Sequence, residues 1–306
     1  MRQSHPNESL ARLCSLFGVS RQAYYEAQLQ ENKTSIAHMI TLTLVKDLRA
    51  DIPMLGTRKL LYMLKPELEK HGIKLGRDQL YDLLRFHGLL MRRRKRMVKT
   101  TDSHHWLKKY PNLIKELVLS TAEQLWVSDI TYIRTLQGFS YLSLITDAYS
   151  RRVVGYALYE TLEAIGPLEA LVMAVNERKG LSPFILIHHS DRGVQYCSAE
   201  YVKILVDNNI AISMTQSGSP YDNALAERLI GTIKNDFFPK RVYQNHREAV
   251  KAVSKVIQIY NQKRPHASID YLTPDQAHMK EGKIKKRWKN YSKHLKQKEG
   301  AMQVEE

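Results

Sequence analysis

The chain has 306 residues, enough for two or more domains, and its 47 Lys and Arg against 31 Asp and Glu give a net charge of +16. So basic a balance favours a polyanionic partner, nucleic acid foremost. No run approaches the ~18 apolar residues that a spanning helix needs and no signal peptide is read, so the chain is expected to be cytoplasmic with no membrane partner. Its two cysteines, Cys14 and Cys197, lack the spacing of a zinc knuckle or redox pair and read as small buried side chains.

Residues 8–27 place Leu10, Leu13, Leu16 and Phe17 at helical spacing, then Gly18, then Ser20 as the N-cap of a second short helix. This is a helix-turn-helix outline whose second helix would present Arg21, Gln22 and Tyr24 to a major groove. Any helical hairpin turning on a glycine reads the same way. Residues 35–49 predict a further amphipathic helix, and residues 56–68 and 77–87 a helix pair closed by Gly88. Arg92, Arg93, Arg94, Lys95 and Arg96 then open a run of six cations with no acid, which repels itself into an extended linker and offers phosphate contacts. The division expected is a helix-turn-helix-like region at 1–45, a second helical DNA-binding-like domain at 46–91, a basic linker at 92–118, a catalytic core with its C-terminal helix at 119–279, and a basic tail at 280–306.

From Leu125 the pattern changes to strands. Segments 125–135, 141–150 and 152–159 are rich in Val, Ile, Tyr and Thr, and a helix over 162–178, a short strand ending near His188, a helix over 198–207 and a strand over 210–214 follow. The order βββαβαβα makes an α/β domain with a mixed sheet. A further helix is predicted to start near Pro220, with Ser219 as N-cap and Asp222 closing a capping box. The loop ahead of it, 216–221, reads either as a connector or as a flap. Leu225, Leu229, Ile233 and Phe237 form its core stripe, while Asn223, Glu227, Gly231 and Lys234 share another side. Glu227 and Lys234 stand roughly 10 Å apart along the axis, too far to pair but able to touch one extended anion. A long helix over 247–260 and a Pro-punctuated segment precede the tail, where Trp288 and Tyr291 are interleaved with cations that could equally be plainly solvated.

Two acids stand where surface placement does not explain them. Asp129 lies inside the apolar run LWVSDITYI and Asp191 just past FILIHH, and a buried carboxylate needs a compensating cation. With Glu227 they make a three-carboxylate, all-oxygen set of the kind that suits Mg2+ or Mn2+, as a pair of ions acting on a phosphodiester. Asp147 is the rival acid, better explained by pairing with Arg151 or Arg152. His188 and His189 read as positional, because hard ions disfavour imidazole.

The blocks WVSDITYI, HHSDRGVQY, SGSPYDNALAERLIGTIK and YNQKRPHASIDYLTP closely resemble those of insertion-sequence transposases with a retroviral-integrase-type (Asp-Asp-Glu) catalytic core. Thirty-five residues lie between positions 191 and 227, the separation typical of that family. The chain is similar to the downstream-frame protein of the bacterial insertion-sequence group encoded in two overlapping frames. The resemblance implies a ribonuclease-H-like, mixed five-stranded sheet with flanking helices, preceded by small all-α helix-turn-helix-like domains. It implies a metal-binding catalytic triad of Asp129, Asp191 and Glu227, a DNA contact by Lys234 and a supporting role for Asn223. Arg264, Pro265 and His266 match a C-terminal block whose role could be structural or DNA-contacting. The partners implied are double-stranded DNA, as element ends and as target, further copies of the chain on that DNA, and an upstream-frame protein, in a bacterial, nucleoid-associated setting. The activity implied is metal-dependent cleavage and strand transfer, by a circular-intermediate route. A catalytically silent DNA-binding regulator and a hydrolytic nuclease of the same fold are the alternatives. No sustained heptad zipper of the upstream-frame kind is visible.

Overall fold

The computed structural model describes residues 8–91, 107–178, 184–216, 223–238 and 242–287. The chain divides into two compact units, residues 1–51 with 55–92, and residues 52–54 with 93–306. Among the described residues no helix is long and apolar enough to cross a membrane.

The first unit is all helical: α1 (Leu10–Leu16), α2 (Arg21–Asp51), α3 (Thr57–Lys70) and α4 (Arg77–Phe86). The Ser9 and Ser20 side chains cap α1 and α2 by accepting from Arg12 N and Ala23 N. Gly18 and Gly88 end α1 and α4 at positive φ, where a side chain would be strained. Leu60, Leu64, Leu68, Leu80, Leu83, Leu84 and Val45 fill the core. One expectation is corrected here. The short helix after Ser20 and the separate helix over 35–49 are one 31-residue helix, because the intervening QLQENKTS is polar but holds no Gly or Pro to stop it. The division between positions 45 and 46 therefore falls inside α2.

The second unit is built on a five-stranded sheet of β1 (Leu125–Thr135), β2 (Gly138–Asp147), β3 (Val153–Tyr159), β4 (Ile187–Ser190) and β5 (Ala211–Met214). Their order across the sheet is β3-β2-β1-β4-β5. The first three strands form an antiparallel meander and β4 and β5 run parallel to β1. This is the ribonuclease-H-like mixed sheet that the motifs led us to expect, with β1 at its centre. Successive β1 side chains point to opposite faces. Trp126 enters one core with Ala170, Leu171 and Ala174 of α5 (Ile165–Glu177) and Tyr201 and Leu205 of α6 (Ala199–Asp207). Leu125 and Val127 enter another with Ala226 and Leu229 of α7 (Ala224–Phe237). Pro167 sits in the first turn of α5, where its missing N–H breaks no helical bond. α8 (His246–Lys263) follows, and its Asn261 side chain bonds both the N–H and the carbonyl of Val153, satisfying edge strand β3. α9 (Pro274–His278) starts on a Thr273 capping box.

Candidate active site

The period-two alternation of β1 places the first acid. Asp129 is an odd-numbered residue like Leu125 and Val127, so it projects toward the face that α7 covers, while Ser128 projects to the other. Asp129 keeps a fringe of exposure and accepts a hydrogen bond from Ile130 N at 2.8 Å. Burial first, then the nearby Asp191 and Glu227 carboxylates, push its carboxyl up to about 8, with the Ile130 bond and the Lys234 ammonium acting the other way. Asp191 stands one residue beyond β4, the parallel neighbour of β1, and its Oδ1 accepts from Gly193 N at 2.9 Å. Glu227 is exposed on the first turn of α7. Three distant segments thus bring their charges to bear on one carboxyl.

α7 supplies more than the acid. Lys234 lies two turns beyond Glu227, and its Nζ donates to Thr131 Oγ1 at 3.0 Å and sits 4.1 Å from the Tyr132 ring centroid. Burial lowers its pKa while Asp129 raises it. At the other end Asn223 is buried, donates from Nδ2 to the Ser128 carbonyl at 3.2 Å, and leaves Oδ1 buried without a partner among the described residues. Its own carbonyl accepts from Glu227 N at 3.2 Å, so β1 holds the start of α7 one turn ahead of Glu227. Ala226, Leu229, Ile230, Ile233 and Phe237 are the buried residues of α7. Leu225, expected in that stripe, is only half-buried. The helix is described from Ala224 rather than from Pro220, and Ser219, Pro220, Asp222 and the rest of 217–222 lie outside the described residues.

The histidines lie behind the acids. His188 is fully buried on β4, its Nε2 2.7 Å from Ser128 Oγ and 2.9 Å from the Tyr201 hydroxyl, and burial pushes it down to about 3, so it is neutral. His189 Nδ1 is 2.8 Å from Ser213 Oγ on β5. His188 thus ties β4 to β1 and α6, and His189 ties β4 to β5.

Asp147 is corrected. Among the described residues it forms no close ion pair with Arg151 or Arg152, although the Arg151 charge still acts on it, and it accepts from Glu123 N, Ser150 N and Ser150 Oγ at 2.9, 2.7 and 2.6 Å. Arg151 adopts a positive φ and donates to the Ala148 carbonyl, and Arg152 pairs with Asp275 and Glu177. Asp147, Glu123 and His278 bring their oxygen and nitrogen atoms within 4.8 Å of one another. Arg178 lies 3.5 Å from Glu123 and His278 bonds Ser150. Burial, with Asp147 second, pushes the Glu123 carboxyl up to about 7. With two arginines already at hand, this group reads as an ion-pair hub joining α9 to the start of β1.

The other expected contacts divide. Arg21 and Gln22 are exposed on the first turn of α2, with Gln22 Nε2 donating to Glu26. Tyr24 is half-buried and lines a small cavity with Leu10, Leu13 and Cys14. Arg92, Arg93, Arg94, Lys95 and Arg96 lie outside the described residues, as do Trp288 and Tyr291. Arg264 is 3% exposed and bonds Asp236 at the end of α7 and His266 Nε2, so the C-terminal block braces α7.

Sequence reasoning passed over Thr131 and Tyr196. Thr131 was findable, being two residues from Asp129 on the same strand face. Tyr196 sits in a 3-10 turn, Val194–Cys197, which brings it back beside the acids. Its hydroxyl is buried without a hydrogen-bond partner among the described residues, and burial, then Asp191, raises its pKa.

Residues 120–220 and 208–274 match the family described as Integrase core domain. The chain is 35% identical over 267 residues to the insertion element IS600 uncharacterized 31 kDa protein of Shigella sonnei, covering 86% of this chain and 96% of that protein. It is 29% identical to the transposase for insertion sequence element IS629 of Shigella sonnei, over 87% of this chain and 90% of that one. Among solved structures, the simian T-cell lymphotropic virus intasome in complex with PP2A regulatory subunit B56 gamma aligns at a TM-score of 0.46 and 15% identity, over 78% of this chain and 77% of that chain.

Proposed function

We start from the fact that this chain belongs to the insertion-sequence transposases with an integrase core domain, and we propose that it cuts and joins DNA at the ends of such an element with Asp129, Asp191 and Glu227 as its catalytic carboxylates. DNA transposition is the activity of the family; the division of labour among residues is our reading.

One observation carries it. The Asp129 carboxyl is destabilised as an anion by its own burial and by two further carboxylates from different elements, a repulsion that an added cation would relieve without protonating the acid. The donors are all oxygens, which fits Mg2+ or Mn2+ and not a zinc site. Such ions, one or two, would supply charge stabilisation at the attacked phosphodiester. Everything else falls to the chain. Asp129 lies on β1 and Asp191 one residue past the end of its parallel neighbour β4, so the sheet brings the two acids together. Glu227 closes the set from α7, held by Asn223 to the Ser128 carbonyl. Lys234, braced by Thr131 and Tyr132, offers its ammonium to a DNA phosphate from the same helix. Arg21, Gln22 and the cations of 92–96 would add end contacts away from the chemistry.

In the reaction proposed, a water oxygen first displaces a 3′ oxygen from phosphorus to free a hydroxyl at the element end. That hydroxyl then attacks a second phosphodiester, whose own 3′ oxygen leaves. No bond to the enzyme is formed, in keeping with a site that, among the described residues, presents carboxylates and a lysine.

End-containing oligonucleotides with Mg2+ or Mn2+ test the proposal. The expected products are nicked ends and joined strands, and Glu227→Gln should abolish both while leaving end binding within about threefold. Cleavage without joining would instead mark a hydrolytic nuclease, and binding with neither would mark a silent regulator. Loss of binding equal to the loss of chemistry would remove Glu227 from the role given to it.

A further inference from the structure

Along α2, every residue from 25 to 36 is exposed. Twelve residues of polar-rich helix are marginal in water without tertiary packing. The apolar residues in and beside this stretch are not scattered. Tyr25, Leu29, Ile36 and Met39 are 50, 60, 55 and 63% exposed. With Gln22 and Asn32 they fall at 22, 25, 29, 32, 36 and 39, the alternating three-and-four spacing of a heptad seam. At about 100° per residue this seam lies opposite Thr41 and Val45, the buried residues of α2. The face is therefore separate from the one that packs within its own unit.

The seam is complementary to itself in one orientation. In a parallel, in-register pair Asn32 meets Asn32 of the second copy, and the two amides bond each other. An antiparallel pair would set Asn32 against Leu29 and leave the amide unpaired. In the parallel arrangement Arg21 also falls opposite Glu26 of the other copy, five residues on, once on each flank. Lys33 falls opposite the neutral Gln28, so no like charges meet. The seam spans little more than two heptads and was invisible in a sequence read as two short helices.

We propose that a second copy of this chain covers this face, forming a short parallel two-stranded coiled coil over residues 22–39. The pairing places Arg21 and Gln22 at the end of the seam. It rests on α2 alone, so it stands or falls apart from the catalytic reading.

Sedimentation equilibrium of the full chain without DNA should show reversible dimers. The double substitution Leu29→Lys with Ile36→Lys should weaken association at least about tenfold. Disulfide trapping gives a second readout that needs no disruptive charge, because Cys14 and Cys197 are both buried. Leu29→Cys should cross-link to itself under mild oxidation, and Gln30→Cys, one residue round the helix, should not. A chain that stays monomeric, unchanged association in the double-lysine variant, or equal trapping at positions 29 and 30 would overturn the proposal. An upstream-frame protein or DNA as the true occupant would show itself as the first of these outcomes.

Discussion

Asp129 sets the pH behaviour of the site. Its carboxyl is raised from 3.8 to about 8, so the folded chain without a divalent ion prefers it protonated. The contribution to stability is complete below the unfolded value of 3.8 and is lost as pH rises through about 8. Glu123, raised to about 7, acts in the same direction, so the difference between variants is the useful quantity. Thermal unfolding without divalent ions should fall with rising pH more steeply in the parent than in Asp129→Asn. Adding Mg2+ near pH 8 should then raise the parent's Tm and leave the variant's almost unmoved. Parallel pH profiles for the two proteins would show that the raised carboxyl is not Asp129. Identifying the acid needed only an apolar strand interrupted by a carboxylate. Thr131 was legible from the same strand pleat, but Tyr196 was not, because it comes back to the acids through a 3-10 turn. Asp147 misled for a related reason: the cations nearest in sequence turn away at a positive-φ residue, and backbone donors take their place.

Among the elements, the strands were the most legible. β1 and β3 fall within a residue of their expected spans, since β-branched and aromatic runs bounded by short turns leave few other solutions. The helices were less so. α2 was split at a polar stretch that no residue breaks, and the start of α7 was expected four residues before Ala224. The packing of α5 on β3 could not be read at all. It depends on Gly155, where an added Cβ would lie 2.1 Å from the Ala170 carbonyl oxygen and 2.9 Å from Ala174 Cβ. Both obstacles belong to a packed helix, backbone included, and cannot swing aside. Gly155→Ala should therefore push α5 off the sheet at a cost of about 1–3 kcal/mol, which in a domain of 150–250 residues lowers Tm by roughly 2–4 °C per kcal/mol. An unchanged Tm would mean that the helix and strand can separate freely.

Across the molecule, the two ligands proposed, a divalent ion and a DNA strand, would share one rod. Glu227 and Lys234 stand on the same helix, clamped to β1 by Asn223 at its start and braced by the Arg264 pair with Asp236 near its end. On the proposed assignment, seating an ion would fix where the ammonium stands, and seating a DNA strand against the ammonium would fix where the carboxylate stands. Their binding free energies are then linked, and linkage is reciprocal: whatever factor the ion adds to DNA affinity, DNA must add to ion affinity. Paired titrations, Mg2+ with and without end DNA and end DNA with and without Mg2+, should give matching factors above one. They should fall together when α7 is loosened by Ile233→Ala. A factor of one in both would mean that the two functions merely cohabit on α7, each insensitive to the other, and that the helix acts as a shelf and transmits nothing.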